Sequence, residues 1–161
     1  MKFFRTFLFL FIGTRLLASD VSNIDVKARL FIDKSKSIDV TEIAHLYDQF
    51  HTVVPEEISL KPFSGTAWIA VEVKNTGTAS RQLILEVENN LIGAVFYNLD
   101  SVLIDRYIIG NQIEHNYVHS SAYSFGIESE GEIAFLIKIE TNDIPLLLPV
   151  YVRELGDFDK H

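Results

Sequence analysis

The sequence predicts an all-β chain, an antiparallel sandwich or barrel with one short helix ahead of it, and three observations carry that prediction. From Gly65 onward, short runs of alternating apolar residues recur at moderate intervals with turn residues between them. Only one segment, Val40 to Asp48, spaces its apolar side chains as a helix does. No strand–helix–strand rhythm is present, which argues against a parallel sheet with crossover helices.

The N-terminus is set apart from that pattern. Met1 to Arg5 carries Lys2 and Arg5, Thr6 to Ile12 is almost purely apolar, and Gly-Thr-Arg-Leu-Leu-Ala-Ser-Asp follows. This order reads as a secretory signal peptide over residues 1–18, leaving 19–161 as one β-sandwich domain. The apolar stretch is far shorter than the roughly 20 residues of a membrane-spanning helix, and Arg15 interrupts any extension. Cleavage is expected after Ala18. Leu16 is bulky for the peptidase, so cleavage after Ser19, or retention as an anchor, stays open. The mature chain is therefore expected in the periplasm or outside the cell.

The elements follow in order. Val26 to Ile32 alternates Val26, Ala28 and Leu30 against Lys27 and Arg29 as a strand would, and Asp33 to Ser37 turns the chain. Asp39, three residues before Glu42, resembles a helix N-cap with a reciprocal acid, and Ile43, Leu46, Tyr47 and Phe50 line one helical face. His51 to Ser64 contains Pro55 and Pro62 without a clean period and is expected to be a packed loop. Ala67, Ile69, Val71 and Val73 share one face of the next strand, which ends at Asn75-Thr76-Gly77. Arg81 to Glu88, Leu91 to Asn98, Val102 to Ile109, Val118 to Gly126, Ile133 to Ile139 and Leu146 to Arg153 complete the set. Leu99-Asp100-Ser101 looks like a hairpin turn.

Composition excludes several functions. The formal charge is −8, and taking Lys2, Arg5 and Arg15 from the 14 basic residues leaves 11 against 22 acidic ones, a net of −11. Such a surface repels phosphate, so no nucleic-acid partner is expected. The chain has no cysteine, which rules out thiol catalysis, thiolate metal sites and anchoring through a lipidated N-terminal Cys. No nucleophile elbow, phosphate-binding glycine loop or His-Glu-x-x-His is present, and neither catalytic residues, a metal nor a cofactor is expected.

One run has a family likeness. Phe63-Ser64-Gly65-Thr66-Ala67-Trp68-Ile69-Ala70-Val71-Glu72-Val73-Lys74-Asn75 resembles the extracellular domain, type 2, of bacterial seven-transmembrane receptors with diverse intracellular signalling modules. In that family a Ser-x-x-Ala-x-Trp-Leu pattern opens a strand that ends in Asn, as Ala67, Trp68, Ile69 and Asn75 do here. Leu30 to Asp33 and Ile38 to Ile43 are similar to its opening strand, aspartate turn and short helix. Gly110 and Ile113-Glu114-His115-Asn116-Tyr117 resemble a later segment in which Pro is usual at Glu114 and an Arg, missing here, stands between the His and the Asn, and Ile144 to Val150 resembles the closing strand. The likeness runs from Asp25 to Phe158. It implies a jelly-roll-like antiparallel β-sandwich with one short N-terminal helix, similar to carbohydrate-binding domains, that senses a ligand for a membrane-embedded signalling partner. The sequence ends at His161 before any receptor helix, so a separated or truncated sensor, or a free-standing binding protein, is expected.

Candidate binding residues come from the same reading. Trp68 shares a strand face with Ala70 and Glu72, so it is either core-edge packing or an open ring on which a sugar can stack. Tyr97 and Tyr123 have the same two readings. His115, Asn116, Tyr117 and His119 form a polar-aromatic cluster in a connection, where ligand contact competes with an ordinary hydrogen-bonding role. A metal shared by His115 and His119 is not expected, because residues four apart on an extended chain lie roughly 13 Å apart. Arg106 could fork to a ligand carboxylate or pair with Asp105. Glu86 and Glu88 are expected to be a solvated strand edge. The function expected from these residues is binding of a small polar molecule, a saccharide foremost, through Trp68, Tyr97, Arg106, His115 and Asn116. The alternative is a structural or protein-interaction module of the envelope, and a hydrolase stands far behind.

Overall fold

The computed structural model describes residues 23–89, 94–99, 106–109 and 120–158. The predicted signal peptide, most of the predicted hairpin turn, and the connection holding His115 and Asn116 lie outside those residues. The elements are β1 (Ile24–Asp33), α1 (Val40–His45), β2 (His51–Val53), β3 (Ser59–Leu60), β4 (Ser64–Asn75), β5 (Arg81–Glu88), β6 (Ala94–Asn98), β7 (Arg106–Ile109), β8 (Ser120–Ile127), β9 (Glu132–Asn142), β10 (Leu146–Leu147), β11 (Val150–Glu154) and α2 (Leu155–Phe158).

Every described strand pair is antiparallel. One sheet has six strands in the order β2-β1-β4-β9-β6-β7, and a smaller one runs β11-β5-β8, with β10 paired to β3 beside it. The β10–β3 pair continues the smaller layer. Leu148 N–H donates to the Ile58 carbonyl and Glu88 N–H to the Pro149 carbonyl, so the chain from β10 to β11 bridges both neighbours. Pro149 has no N–H to offer a ladder, which is why the strand predicted to run unbroken from Leu146 to Arg153 is split. No described pairing joins the two layers edge to edge, and the sandwich is realised rather than the barrel.

The core lies between the layers. Ala67, Ile69, Val71 and Val73 of β4 and Phe135, Ile137 and Ile139 of β9 meet Leu83, Leu85 and Val87 of β5, Phe125 of β8 and Leu148 of the closing segment. The alternation in the sequence had set these faces correctly, because a period of two fixes which side of the pleat each residue takes. At the end of β4, Asn75 is fully buried and ties two turns together. Its amide donates to the carbonyls of Ala79 at 2.7 Å and Glu128 at 2.9 Å, while its carbonyl accepts from Gly77 N–H. At the other end Gly65 is needed for close approach, since a Cβ there would lie 2.6 Å from the Asp33 carbonyl oxygen.

Several expectations need correction. The helix ends at His45, where Leu46 N–H bonds back to the Ile43 carbonyl, and the chain tightens into a single 3-10 turn over Tyr47–Gln49. The expected loop between His51 and Ser64 holds two strands of three and two residues, too short to show a period. Glu86 is not a solvated edge: β5 is the middle strand of its sheet, and Glu86 is 5% exposed.

Candidate functional site

The outer faces of the two sheets are built differently. On the large sheet an apolar patch of Phe31, Trp68, Ala70, Tyr97 and Leu136 faces outward and is covered by α1 and the turn after it, with charged residues of β1, β4 and β9 around it. Asp39 starts that helix through a capping box: its carboxylate accepts from the N–H groups of Thr41 and Glu42, and the Glu42 side chain reaches back to the Asp39 N–H. The Thr41 hydroxyl and those N–H groups hold the Asp39 carboxyl below its ordinary value. Ile43 then drops into a second core formed with Phe50, Trp68, Ala70, Tyr97 and Leu136. Phe31 stacks on Phe50 with ring centroids 5.4 Å apart. The Tyr47 hydroxyl donates to Glu72 on β4, and the Arg29 guanidinium lies 4.8 Å from the Tyr47 ring centroid. Burial first, then the bond to Glu72 and its charge, push the Tyr47 phenol up to about 12.

Two of the five residues singled out in the sequence meet here, and the backbone of a third lies on the neighbouring strand. Trp68 and Tyr97 lie with ring centroids 6.2 Å apart, and Arg106 pairs in register with Tyr97 across β6 and β7. His115 and Asn116 lie outside the described residues. Trp68 does occupy the face opposite Ile69 and Val71, as the strand parity requires, but that face is closed. With 1% exposure for Trp68 and 8% for Tyr97, neither ring offers a free face for stacking, and of the two readings of these rings the helix packed above them realises packing, not an open platform. The indole N–H of Trp68 meets no hydrogen-bond acceptor among the described residues. Lys138, in register with Trp68, places its ammonium 5.9 Å from the indole ring and pairs with Glu140 at 3.0 Å. Beyond the helix, Asp25, Lys27, Glu72, Lys74 and Glu132 line a groove of about 70 Å³, well short of the roughly 300 Å³ at which small-molecule pockets begin.

The smaller sheet turns polar groups outward. Gln82, Ile84 and Glu86 of β5 share the outer face, with Tyr151 and Arg153 of β11 on one side and Ala122, Ser124 and Gly126 of β8 on the other. Arg153 lies 4.5 Å from the Tyr151 ring centroid and places its Nε 3.4 Å from Oε2 of Glu86. That contact is an ion pair without hydrogen-bond geometry, and Oε2 accepts no hydrogen bond among the described residues. Four residues back along β5 the Gln82 amide lies across Gly126, where a Cβ would come within 2.9 Å of its Nε2. Sequence reasoning missed this face because Glu86 alternates with Leu85 and Val87 as any solvated strand residue would. That alternation does not show its place in mid-sheet, with Tyr151 in register beside it and Arg153 against its carboxylate.

Among the described residues no group of three or more acidic or histidine side chains could hold a metal, and no helix is long and apolar enough to cross a membrane.

These features define an antiparallel β-sandwich with a helix-covered large sheet and a polar outer face on the small one. Residues 26–154 match the family model 7TMR-DISM extracellular 2, and the chain belongs to that family of extracellular receptor domains. The likeness seen in the strand from Phe63 to Asn75 is thereby borne out, and the match spans every described strand in part or whole. No curated protein matches the chain. Among solved structures, the epithelial adhesin 9 A domain from Candida glabrata, in complex with Galb1-3GlcNAc, is similar with 6% identity and a TM-score of 0.34, over 81% of this chain and 82% of that one.

Proposed function

We propose that the chain is the exported sensing module of a bacterial signal-transduction receptor, and that it binds a small polar ligand, a saccharide foremost, without transforming it. The observation that carries this reading is the family match over residues 26–154, which spans the sandwich of an extracellular receptor domain. The leader-like order of residues 1–18 agrees with export, and a membrane-embedded signalling partner follows from the receptor family. The polar outer face of the small sheet supplies donors and acceptors suited to a neutral polar molecule.

The test is a thermal-shift screen of purified residues 19–161 against sugars, carboxylates and short peptides, since a ligand that binds only the folded state raises its midpoint. A midpoint raised by a sugar supports the proposal. No shift with any ligand, together with recovery of a membrane protein in a pull-down, replaces it with an interaction module. Intact mass of the exported protein tests the leader: a product still carrying residues 1–18 refutes cleavage.

A further inference from the structure

We infer that β8 is a docking edge for a second copy of this chain, and that two chains join by antiparallel pairing of their β8 strands about a two-fold axis at Ser124. The inference rests on the sheet topology and stands apart from what the sandwich binds. β8 is the outermost strand of the small sheet, and β5 is its only strand partner among the described residues. In an antiparallel ladder alternate residues turn their N–H and C=O groups away from the neighbouring strand, so β8 presents a row of them on its open side, a template for another strand. Such edges are ordinarily guarded by charge, proline or shortness, and the other described edges are. β2 has three residues, and β7 has four, one of them Arg106. β11 follows Pro149, carries Arg153 and Glu154, and has α2 packed against it. β8 runs for eight residues, Ser-Ser-Ala-Tyr-Ser-Phe-Gly-Ile, with no charge and no proline.

The template is firm. Phe125 and Tyr123 turn inward and meet the Phe135 ring of the opposite sheet at 4.8 and 5.7 Å, which anchors the strand to the core. Ser124 and Gly126 are exposed on its outer side, and both are small. The absence of charge then selects the occupant. A two-fold pairing sets a strand against its own sequence run backwards, so a charged edge would oppose itself, and like charges directly opposite destabilise a sheet pair. With Ser124 on the axis, Ala122 faces Gly126 of the second copy and Tyr123 faces its Phe125. Inward residues meet inward ones and outward meet outward, as antiparallel partners must. The joined sheet runs β11-β5-β8-β8-β5-β11, six strands like the large sheet, with both α2 helices on its far flanks. Residues 19–161 are strongly acidic, so two copies repel over most of their surface, and the uncharged edge is where they approach at least cost.

The experiment uses residues 19–161. Sedimentation velocity over a concentration series is expected to show a monomer–dimer equilibrium that tightens with added salt, because salt screens the repulsion between two acidic copies. Ser124→Lys sets two ammonium groups face to face on the axis and is expected to raise the dimer dissociation constant about ten-fold or more, with the far-UV spectrum unchanged. Ser124→Cys introduces a lone thiol into a chain without cysteine. Residues directly opposite in an antiparallel pair have Cα atoms roughly 4.5 to 5.5 Å apart, within disulfide reach, so mild oxidation is expected to give a covalent dimer. Glu140→Cys, exposed on the large sheet, is expected to give none. A wild type that stays monomeric at its highest soluble concentration overturns the inference. So does a dimer that survives Ser124→Lys, one that weakens with salt, or one that cross-links as readily through Glu140→Cys as through Ser124→Cys. Should Ser124→Lys fail to fold, the salt series and the two cysteine variants decide. None of these outcomes touches the sensor reading, which the thermal screen decides alone.

Discussion

Truncating Phe135 to alanine tests the sandwich at its centre. Phe135 is fully buried on β9, between β4 and β6, and meets Phe125 edge-on at 4.8 Å and 64°. Tyr123 approaches it similarly at 5.7 Å and 67°. Removing a buried Phe ring costs about 3 to 5 kcal/mol in transfer and cavity terms. Each lost edge-to-face contact adds ~0.5 to 1.5 kcal/mol beyond area, part of which the cavity figure already contains, so a loss of about 4 to 5 kcal/mol is expected. The contacts cross from one sheet to the other, so the wall cannot collapse without sliding the layers. For a domain of this size that corresponds to a midpoint lower by roughly 10 to 20 °C. Urea melts followed by far-UV circular dichroism and by Trp68 fluorescence would measure it, Trp68 being the single tryptophan. A loss below about 1 kcal/mol would show that Phe135 does not face the second sheet and would refute the layer assignment.

Further perturbations probe the ends and the roof of the sandwich. Gly65→Ala forces a Cβ to within 2.6 Å of a backbone oxygen and is expected to cost about 1 to 3 kcal/mol in a denaturant melt, while an unchanged midpoint would show that β1 and β4 separate freely there. Tyr47 ionises only near pH 12, so the stabilisation its neutral form gives is complete below pH 10 and is lost as pH climbs from 10 through about 12. A spectrophotometric titration should show a tyrosinate step near 12 that Tyr47→Phe abolishes, and an unaltered curve in that variant would count against the bond to Glu72. Trp68 fluorescence should be blue-shifted and resist quenching by iodide, given 1% exposure; strong quenching would mean that α1 does not cover the ring.

The layers were legible because the inward residues repeat with a period of two over long strands, as Ile133, Phe135, Ile137 and Ile139 do. The N-terminus of α1 was legible for a different reason, the Asp39 and Glu42 spacing of a capping box, which is wholly local. What failed was everything that depends on neighbours. Nothing near Trp68 in the chain reveals that Ile43 and Phe50 return over it, and nothing near Glu86 reveals strands on both sides. The short strands β2 and β3 exist because β1 and β10 offer them ladders, a property of the fold that three residues and two cannot encode. Tyr97 and Arg106 pair in register across β6 and β7, yet the sequence alone could not say that Trp68 would lie beside Tyr97.

The helix over the large sheet sets a cost on any ligand that would stack on Trp68 or Tyr97. Reaching Trp68 or Tyr97 requires lifting α1 and the turn after it, which returns Ile43, Phe50 and the Trp68 ring to water. At roughly 1.5 to 3 kcal/mol for each large apolar side chain, that costs about 5 to 9 kcal/mol before any contact with ligand is made. A micromolar ligand has only about 8 kcal/mol of binding free energy to offer in total. A ligand that had to open the large sheet would therefore need nearly twice the interaction of one that settled on a surface already facing water. Tyr47→Phe separates the two routes. Untying the turn from Glu72 lowers the cost of lifting α1, so binding under the helix would tighten in that variant, whereas binding at any surface away from α1 would keep its wild-type affinity.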